Sequence, residues 1–561
     1  MSNSPNSPNS PNSPNSPNSP IERCPSPSRV VAWGWIALWA ALPRAAAQDI
    51  DWQATGQSGS WSDQDSFGGA VDSIGDVNGD GVTDFIVGAP YENSTNYNFA
   101  IGAAYVVSGV DGAHLRWHQG PARDSYFGGA VAGGGDFDGD GIDDYVVGAY
   151  LDDPGVGYVD RGTVSVYSGA SGALLHFLVG ETVGDNFGIV VATLGDLDGD
   201  GRAEFGAGAR FYANGKKGHA GRAYVFSGAT GQLLWNKTGA APGDQKCVVI
   251  PMGDYNGDGV PEVGIGAPGA GPVNEGTFEI CDGLSGTALH TLKGEAAADA
   301  FGARAVNLGD IGGDGVAEFM VSAYAHSSVF GFGGRVYVFD GATRSLQYQY
   351  DGEWPNAKLG EQLLFRGGCD VNGDGWRDFL TFQLADGRHG NDQPTGHLHS
   401  GRTGRVLFDF RTLDLYGALG QIAYASSSAG DVNGDGIDDL ILGDPAWSGA
   451  GYSGAGRATL HLGRELFVQA DHEFYDANDT ARIRVTGGEP GKLALLAVVE
   501  IGGVPLFETA ALQALNSFGE LTFVDSVPPG FAGLTLTFQA FALRKSGGKL
   551  AVSSTDQITL R

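Results

Sequence analysis

The chain has 561 residues, 93 of them glycine, with 17% charged residues and a formal net charge of −32. This composition excludes a protein of long helices or coiled coils, and 42% hydrophobic residues exclude a chain that is disordered throughout. The acidic surplus excludes nucleic acid and an anionic membrane surface as partners, because no basic patch exists to meet phosphates. It points to solubility or to bound cations missing from the count.

Residues 2–20 contain only Ser, Asn and Pro, which cannot bury a core. Arg23 and Arg29 then precede an apolar run from Val30 to Leu42 and the sequence Ala45-Ala46-Ala47. A basic region, a short apolar run and an A-x-A site predict a signal peptide cleaved after Ala47. The alternative is a membrane anchor, for which the run is short. The expected product is secreted or held at the cell surface, with no transmembrane segment after cleavage. Cys24 leaves with the signal, and Cys247, Cys281 and Cys369 remain without metal-type spacing. They read as buried thiols, with a Cys247–Cys281 bridge as the alternative. Asn93, Asn236 and Asn478 open N-x-S/T sequons.

From residue 76 a nine-residue pattern recurs seven times: DVNGDGVTD at 76–84, DFDGDGIDD at 136–144, DLDGDGRAE at 196–204, DYNGDGVPE at 254–262, DIGGDGVAE at 310–318, DVNGDGWRD at 370–378 and DVNGDGIDD at 431–439. Successive starts lie 60, 60, 58, 56, 60 and 61 residues apart. A period of this length means a solenoid, a propeller or an array. Each period holds four short apolar runs, in the second Gly129–Gly133, Tyr145–Gly148, Thr163–Tyr167 and Leu174–Val179. Four strands per unit predict propeller blades, and ring closure removes the need for capping repeats. The segment Ile50–Gly56 parallels the fourth-strand run LRWHQG at 115–120. It is therefore predicted to supply the last strand of blade seven.

Phe67-Gly68, Phe127-Gly128, Phe187-Gly188 and Phe301-Gly302 precede their loops by nine residues, and Gly88-Ala89-Pro90 and Gly266-Ala267-Pro268 follow theirs. Over about residues 50–464 the chain resembles the FG-GAP propeller of integrin α subunits. Departures fall in repeat four, with Gln245-Lys246 for Phe-Gly, and in repeats six and seven, with Leu-Gly. Repeat six also lacks Gly-Ala-Pro.

Loop positions 1, 3, 5 and 9 carry side-chain oxygens, and position 7 offers a backbone carbonyl. This set suits calcium, which takes six to eight oxygens at flexible geometry. Glycines at positions 4 and 6 let the chain curl around an ion. The candidate ligands are Asp76, Asn78, Asp80, Val82 and Asp84; Asp136, Asp138, Asp140, Ile142 and Asp144; Asp196, Asp198, Asp200, Arg202 and Glu204; Asp254, Asn256, Asp258, Val260 and Glu262; Asp310, Asp314, Val316 and Glu318; Asp370, Asn372, Asp374, Trp376 and Asp378; and Asp431, Asn433, Asp435, Ile437 and Asp439. Up to seven Ca2+ ions are expected, the fifth most weakly held because Gly312 replaces a ligand. Loops two and three, with four carboxylates each, are expected to bind most tightly. The alternative is a set of metal-free Asx turns. An EF-hand fails, because no copy has an acid at position 12.

The loop joins strands one and two, so the Ser-Gly turns at 108, 168, 227 and 400 share its face. The opposite face receives long, varied connections bearing Tyr91, Tyr150, Phe211, Tyr212, Phe330, Phe332, Trp447 and Tyr452. Varied aromatic loops on a rigid ring suit an extracellular protein or glycan ligand; the alternative is that the aromatics pack among themselves. The resemblance implies the same face, which integrin α propellers use for ligands.

The domain reading is 1–47 tract and signal, 48–464 propeller, and 465–561 a C-terminal β-sandwich in which Leu506–Leu515 is a short helix. The fold class is thus all-β, a seven-bladed β-propeller followed by a small β-sandwich. The functional expectation is a calcium-binding adhesion or binding module and not an enzyme. The rivals are a polysaccharide-active enzyme with its site at the propeller mouth, and a structural surface component. His397 and His399 alternate on one strand, a weak metal signal.

Overall fold

The computed structural model describes residues 50–56, 65–94, 97–154, 160–213, 218–327, 331–352, 354–361, 365–386, 393–411, 424–447 and 455–464, and eight strands between 467 and 560. The expected signal peptide, Phe330, Tyr452 and the Asn478 sequon lie outside these residues.

Short β-branched and aromatic runs separated by glycine fold into seven blades. Blades one to five are four-stranded antiparallel sheets with strands in chain order. In blade two the strands are Phe127–Gly135, Asp144–Ala149, Thr163–Tyr167 and Leu174–Val179. The second strand is buried along its whole length, so it reads as a continuous apolar run. The fourth strand is the outer edge and exposes Leu174, Phe177 and Val179. No helix occurs among the described residues.

The Phe-Gly and Gly-Ala-Pro marks have a steric origin. The glycine of one blade's Gly-Ala-Pro faces the glycine of the next blade's Phe-Gly. A Cβ on Gly88 would lie 2.0 Å from the carbonyl oxygen of Gly128, and one on Gly148 equally close to that of Gly188. Adjacent blades therefore meet backbone to backbone. The same contact closes the ring, where a Cβ on Gly443 of blade seven would lie 2.0 Å from the carbonyl oxygen of Gly68 of blade one.

Closure is completed by the N-terminal strand. Ile50–Thr55 pairs antiparallel with Arg457–His461, the third strand of the blade that carries Asp431. Thr55 faces Arg457 as Gln119 faces Ala103 in blade one. That register puts Trp52 at the place of Arg116, not of Trp117. Accordingly Trp52 is 7% exposed and Trp117 49%. Trp52 Nε1 donates to the Gly109 carbonyl of blade one at 2.7 Å. Its counterparts reach the next blade's turn in the same way: Arg116 to Gly169, His176 to Gly228 at 2.6 Å, Trp235 to Gly283 at 2.7 Å, and Tyr348 to Gly401 at 3.1 Å.

A graded test of closure follows. Trp52→Phe removes the donor and part of the ring's volume but keeps an aromatic side chain, and is expected to lower stability by about 1–3 kcal/mol. Trp52→Ala also vacates the core around Phe85 and is expected to cost about 3–5 kcal/mol in urea unfolding. Stability of Trp52→Ala equal to the parent would show that this strand does not hold the ring shut.

Blade six departs from the pattern. Its sheet is Phe379–Asp386, Gln393–His399 and Val406–Arg411, while Phe365–Arg366 pairs in parallel with Ser426 and Ser427 of blade seven. Leu359-Gly360 takes the Phe-Gly place, with Leu359 bridging Gly334. It precedes its loop by eleven residues instead of nine. Both ends still meet the second strand, with Gly360 N on the Phe382 carbonyl and Cys369 bridging Asp378, so the two extra residues fall between them.

The C-terminal region forms a β-sandwich. One sheet is Phe467–Ala470, Thr480–Thr486 and Leu521–Ser526. The other runs in the order Phe474–Tyr475, Leu550–Leu560, Thr535–Leu543, Leu493–Ile501 and Val504–Ala514. The helix expected at Leu506–Leu515 is corrected: its described residues, 506–514, lie in strand Val504–Ala514, paired antiparallel with Leu493–Ile501. Its Ala, Leu and Gln favour helix, but propensity yields to a neighbouring strand that completes the backbone hydrogen bonds. Cys247, Cys281 and Cys369 are buried free thiols.

Candidate metal centre and ligand face

Each acidic loop is held by its own carboxylates. In loop two Asp136 Oδ1 accepts from Gly139 N at 2.6 Å and Asp140 N at 3.2 Å, and Oδ2 from Gly141 N at 2.9 Å. Asp138 Oδ1 accepts from Asp140 N at 3.1 Å, and Asp140 Oδ1 from Ile142 N at 2.9 Å. These bonds curl the chain, and Gly139 and Gly141 take up the turn with φ of +80° and +85°.

Position 9 behaves differently. Asp84, Asp144, Glu204, Glu262, Glu318, Asp378 and Asp439 are fully buried. Asp144 Oδ2 accepts from Phe137 N at 2.7 Å, and Oδ1 from Gly169 N at 2.8 Å. Asp84 joins Gly109 N, Asp378 joins Gly401 N and Asp439 joins Gly463 N in the same way. The turn glycine whose amide meets this carboxylate offers its carbonyl to the preceding blade, as at Gly109 and Gly169. Acidic loop and blade junction are thus one hydrogen-bonded unit.

Burial pushes the carboxyls of Asp84 and Asp144 up to about 6 and those of Glu204 and Asp439 up to about 7. It raises Glu262 and Glu318 and holds Asp378 well above the ordinary range. In Glu204 and Glu318, one methylene longer than Asp, Oε1 is buried without a close hydrogen-bond partner. The turn amides of Gly228 and Gly341 lower these carboxyls only in part.

Carboxylates gather in four places, with oxygens within 4.8 Å of one another: Asp136, Asp138 and Asp144; Asp196, Asp198 and Glu204; Asp310, Asp314 and Glu318; and Asp258, Glu262 and Asp282. Asp140 and Asp200 stand outside these groups. Asn78 Nδ2 donates to Asp84 at 3.3 Å, and Asn256 Nδ2 to Glu262 at 2.8 Å. Loops one, six and seven bring no third acid to such a group among the described residues. Asp282 was missed from sequence: it sits in the strand three to four turn of blade four, where blades one to three carry Ser. That Ser-to-Asp change, repeated at Asp340, is the signal that marks it.

His397 and His399 do not form a metal site. His399 is buried, hydrogen-bonded to Thr381 at 2.9 Å and to the Gly404 carbonyl at 3.3 Å, and stacked on Phe379. Burial depresses it to about 3, so it is neutral. His397 Nδ1 pairs with Asp409 at 2.7 Å.

On the opposite face most of the singled-out aromatics pack locally. Tyr91 meets Tyr126 at 5.0 Å, and Tyr126 meets Tyr150 at 5.5 Å. Phe211 packs on His219, Tyr212 lies under Arg222, and Trp447 under Arg457. Phe332 stays 59% exposed. Between blades three, four and five the same face holds a cavity of about 350 Å³.

The FG-GAP repeat family matches residues 67–107 and 423–461, within blades one and seven. These two stretches meet at the ring's closing seam and carry the glycine contact described above. The ring is an integrin-α-like FG-GAP propeller. Integrin alpha-5 of Xenopus laevis is 31% identical over 230 residues, 38% of this chain and 21% of the relative. Integrin alpha-V of Gallus gallus is 28% identical over 225 residues, 36% of this chain and 20% of the relative. Integrin alpha-X of Homo sapiens is 40% identical over 91 residues, 15% of this chain and 7% of the relative. The chain spans about a fifth of the length of the first of these relatives.

Proposed function

We propose that this protein is an exported calcium-binding propeller that acts as a binding module for an extracellular protein or glycan on the face opposite the acidic loops. The observation that carries the calcium part is the gathering of the buried position-9 carboxyls Asp144, Glu204, Glu262 and Glu318 with two further acids each, their oxygens within 4.8 Å of one another. Carboxylates buried side by side are costly unless a cation meets them. Loops two, three and five would each hold an ion through their gathered acids and the carbonyls of Ile142, Arg202 and Val316. Loop four would add Asp282. Loops one, six and seven would turn Asn78, Asn372 and Asn433 to present oxygen, giving up to seven ions. Calcium would supply charge neutralisation and rigidity.

The cavity favours binding over catalysis. Its one carboxylate, Glu361, is paired with Lys358 at 3.0 Å. No histidine lines it, and the His397 and His399 pair is spent within blade six. Residues 48–464 form the propeller in this reading, residues 465–561 attach it, and cleavage after Ala47 exports it. The test is capture of the mature protein on arrays of extracellular proteins and glycans, in calcium and in EGTA. Calcium-dependent capture supports the reading. Turnover of a polysaccharide without stable capture would favour the enzyme.

Loop five tests ligand counting. Gly312 does not have a left-handed φ, and a Cβ there would stand 3.1 Å from Glu318 Oε1. Gly312→Asp therefore adds a carboxylate to the group without backbone strain. It is expected to tighten calcium binding at this loop about tenfold, the scale on which ligand charge tunes such sites. In EGTA the same change is expected to lower the melting temperature, through repulsion from Asp310 and Glu318. Equal calcium titrations of parent and variant would show that side-chain ligand count does not set affinity here.

A further inference from the structure

The seven blades are an internal control, because a residue that departs from the repeat is not explained by the fold. Three departures converge on the cavity between blades three, four and five. Arg210 stands where Gly-Ala-Pro has proline in blades one, four and seven. Arg304 follows Phe301-Gly302-Ala303, where the earlier blades carry Ala70, Ala130, Val190 and Val248. Gln245 replaces the phenylalanine of Phe-Gly. All three line the cavity, with Tyr324, Cys247 and Glu361.

Both arginines line the cavity with Cys247, whose thiol burial pushes up to about 11, a rise that Arg210 and Arg304 both oppose. Neither arginine has a carboxylate partner among the ion pairs of the described residues. Arg210 Nε donates to Gln245 Oε1 at 2.7 Å. Arg304 Nη1 reaches only the carbonyl of its neighbour Ala303, at 3.3 Å, and its Nε is buried with no partner. Lys358 neutralises the one acid, Glu361. In a chain of net charge −32, a half-buried pocket thus keeps two unneutralised cations.

From this geometry we infer that the cavity binds a sugar acid, one uronate unit of an acidic glycan, with its carboxylate on Arg210 and Arg304. Planar guanidiniums match a carboxylate in fork geometry. The glycan is preferred to an acidic peptide because the pocket also carries acceptors, the Glu361 carboxylate and the Tyr324 hydroxyl. Those suit ring hydroxyls, which an Asp or Glu side chain lacks. The volume is at the lower end of small-molecule sites and accommodates one sugar ring.

This inference rests on the binding reading above, and its test separates the two. Mature protein in calcium is titrated calorimetrically with trigalacturonate, with triglucuronate, with their methyl esters, with maltotriose and with an acetylated aspartyl peptide amide. Binding of a uronate trimer is expected, with at least about a tenfold loss on esterification, the scale of a charge-assisted hydrogen bond. Esterification changes no residue, so it reads the carboxylate even if a variant misfolds. Arg304→Gln and Arg210→Gln, each with the parent melting curve, are expected to weaken the acid and leave the ester unchanged. Equal affinity for acid and ester, or no uronate binding, overturns the inference. Ligand capture on the arrays would then leave the binding reading intact. Preference for the aspartyl peptide, lost in Arg304→Gln, overturns the sugar assignment.

Discussion

Transfer from millimolar calcium to EGTA is expected to lower the melting temperature by about 10–20 °C. One site at a hundred times its dissociation constant contributes about 2.7 kcal/mol. The four gathered carboxylate groups together then contribute about 11 kcal/mol. For a ring of this size, 1 kcal/mol moves the midpoint by about 1–2 °C. The effect is spread around the ring because position 9 links each loop to a junction. Asp144 holds Gly169 N at 2.8 Å, and the Gly169 carbonyl receives Arg116 of blade one. Without a cation the gathered acids repel one another across a few ångströms, and burial has already raised their carboxyls. Adding calcium back restores the midpoint, whereas magnesium, which requires stricter octahedral geometry, is expected to restore less. Superimposable melting curves in EGTA and in calcium would refute calcium binding by these loops.

The second large effect is steric. Gly148→Val is expected to abolish folding, or to cost more than about 4 kcal/mol, read as loss of soluble protein or of the cooperative transition. The new Cβ would lie 2.0 Å from the Gly188 carbonyl oxygen, which is backbone and has no rotamer to change. Relief requires opening the junction between blades two and three. Gly184→Ala is the control. Its φ of +76° is strained for alanine, but nothing stands within 4 Å of the added Cβ. It is expected to cost only about 1–2 kcal/mol. Comparable losses in the two variants would show that backbone conformation, not blade contact, explains the repeat's glycines.

Architecture was legible in the sequence because the interactions that define a blade recur locally. Within nine residues Asp136 folds the chain back on the amides of Gly139, Asp140 and Gly141, so a loop can be read from its own spacing. The period counts blades, and the spare strand at Ile50 announces the closing seam. What lies between blades was not legible, because packing decides it across long stretches of chain. IDWQATG and LRWHQG invite a match of tryptophan with tryptophan, yet strand pairing places Trp52 with Arg116, and a shift of one residue in a strand turns a side chain to the other face. Asp282 is one turn residue among many until the fold sets it beside Asp258 and Glu262. Leu506–Leu515 favours helix by composition, yet its residues 506–514 form a strand because Leu493–Ile501 offers an edge. Arg210 and Arg304 are isolated irregularities in separate repeats. Only ring closure, which brings the same end of successive blades together, makes them walls of one cavity.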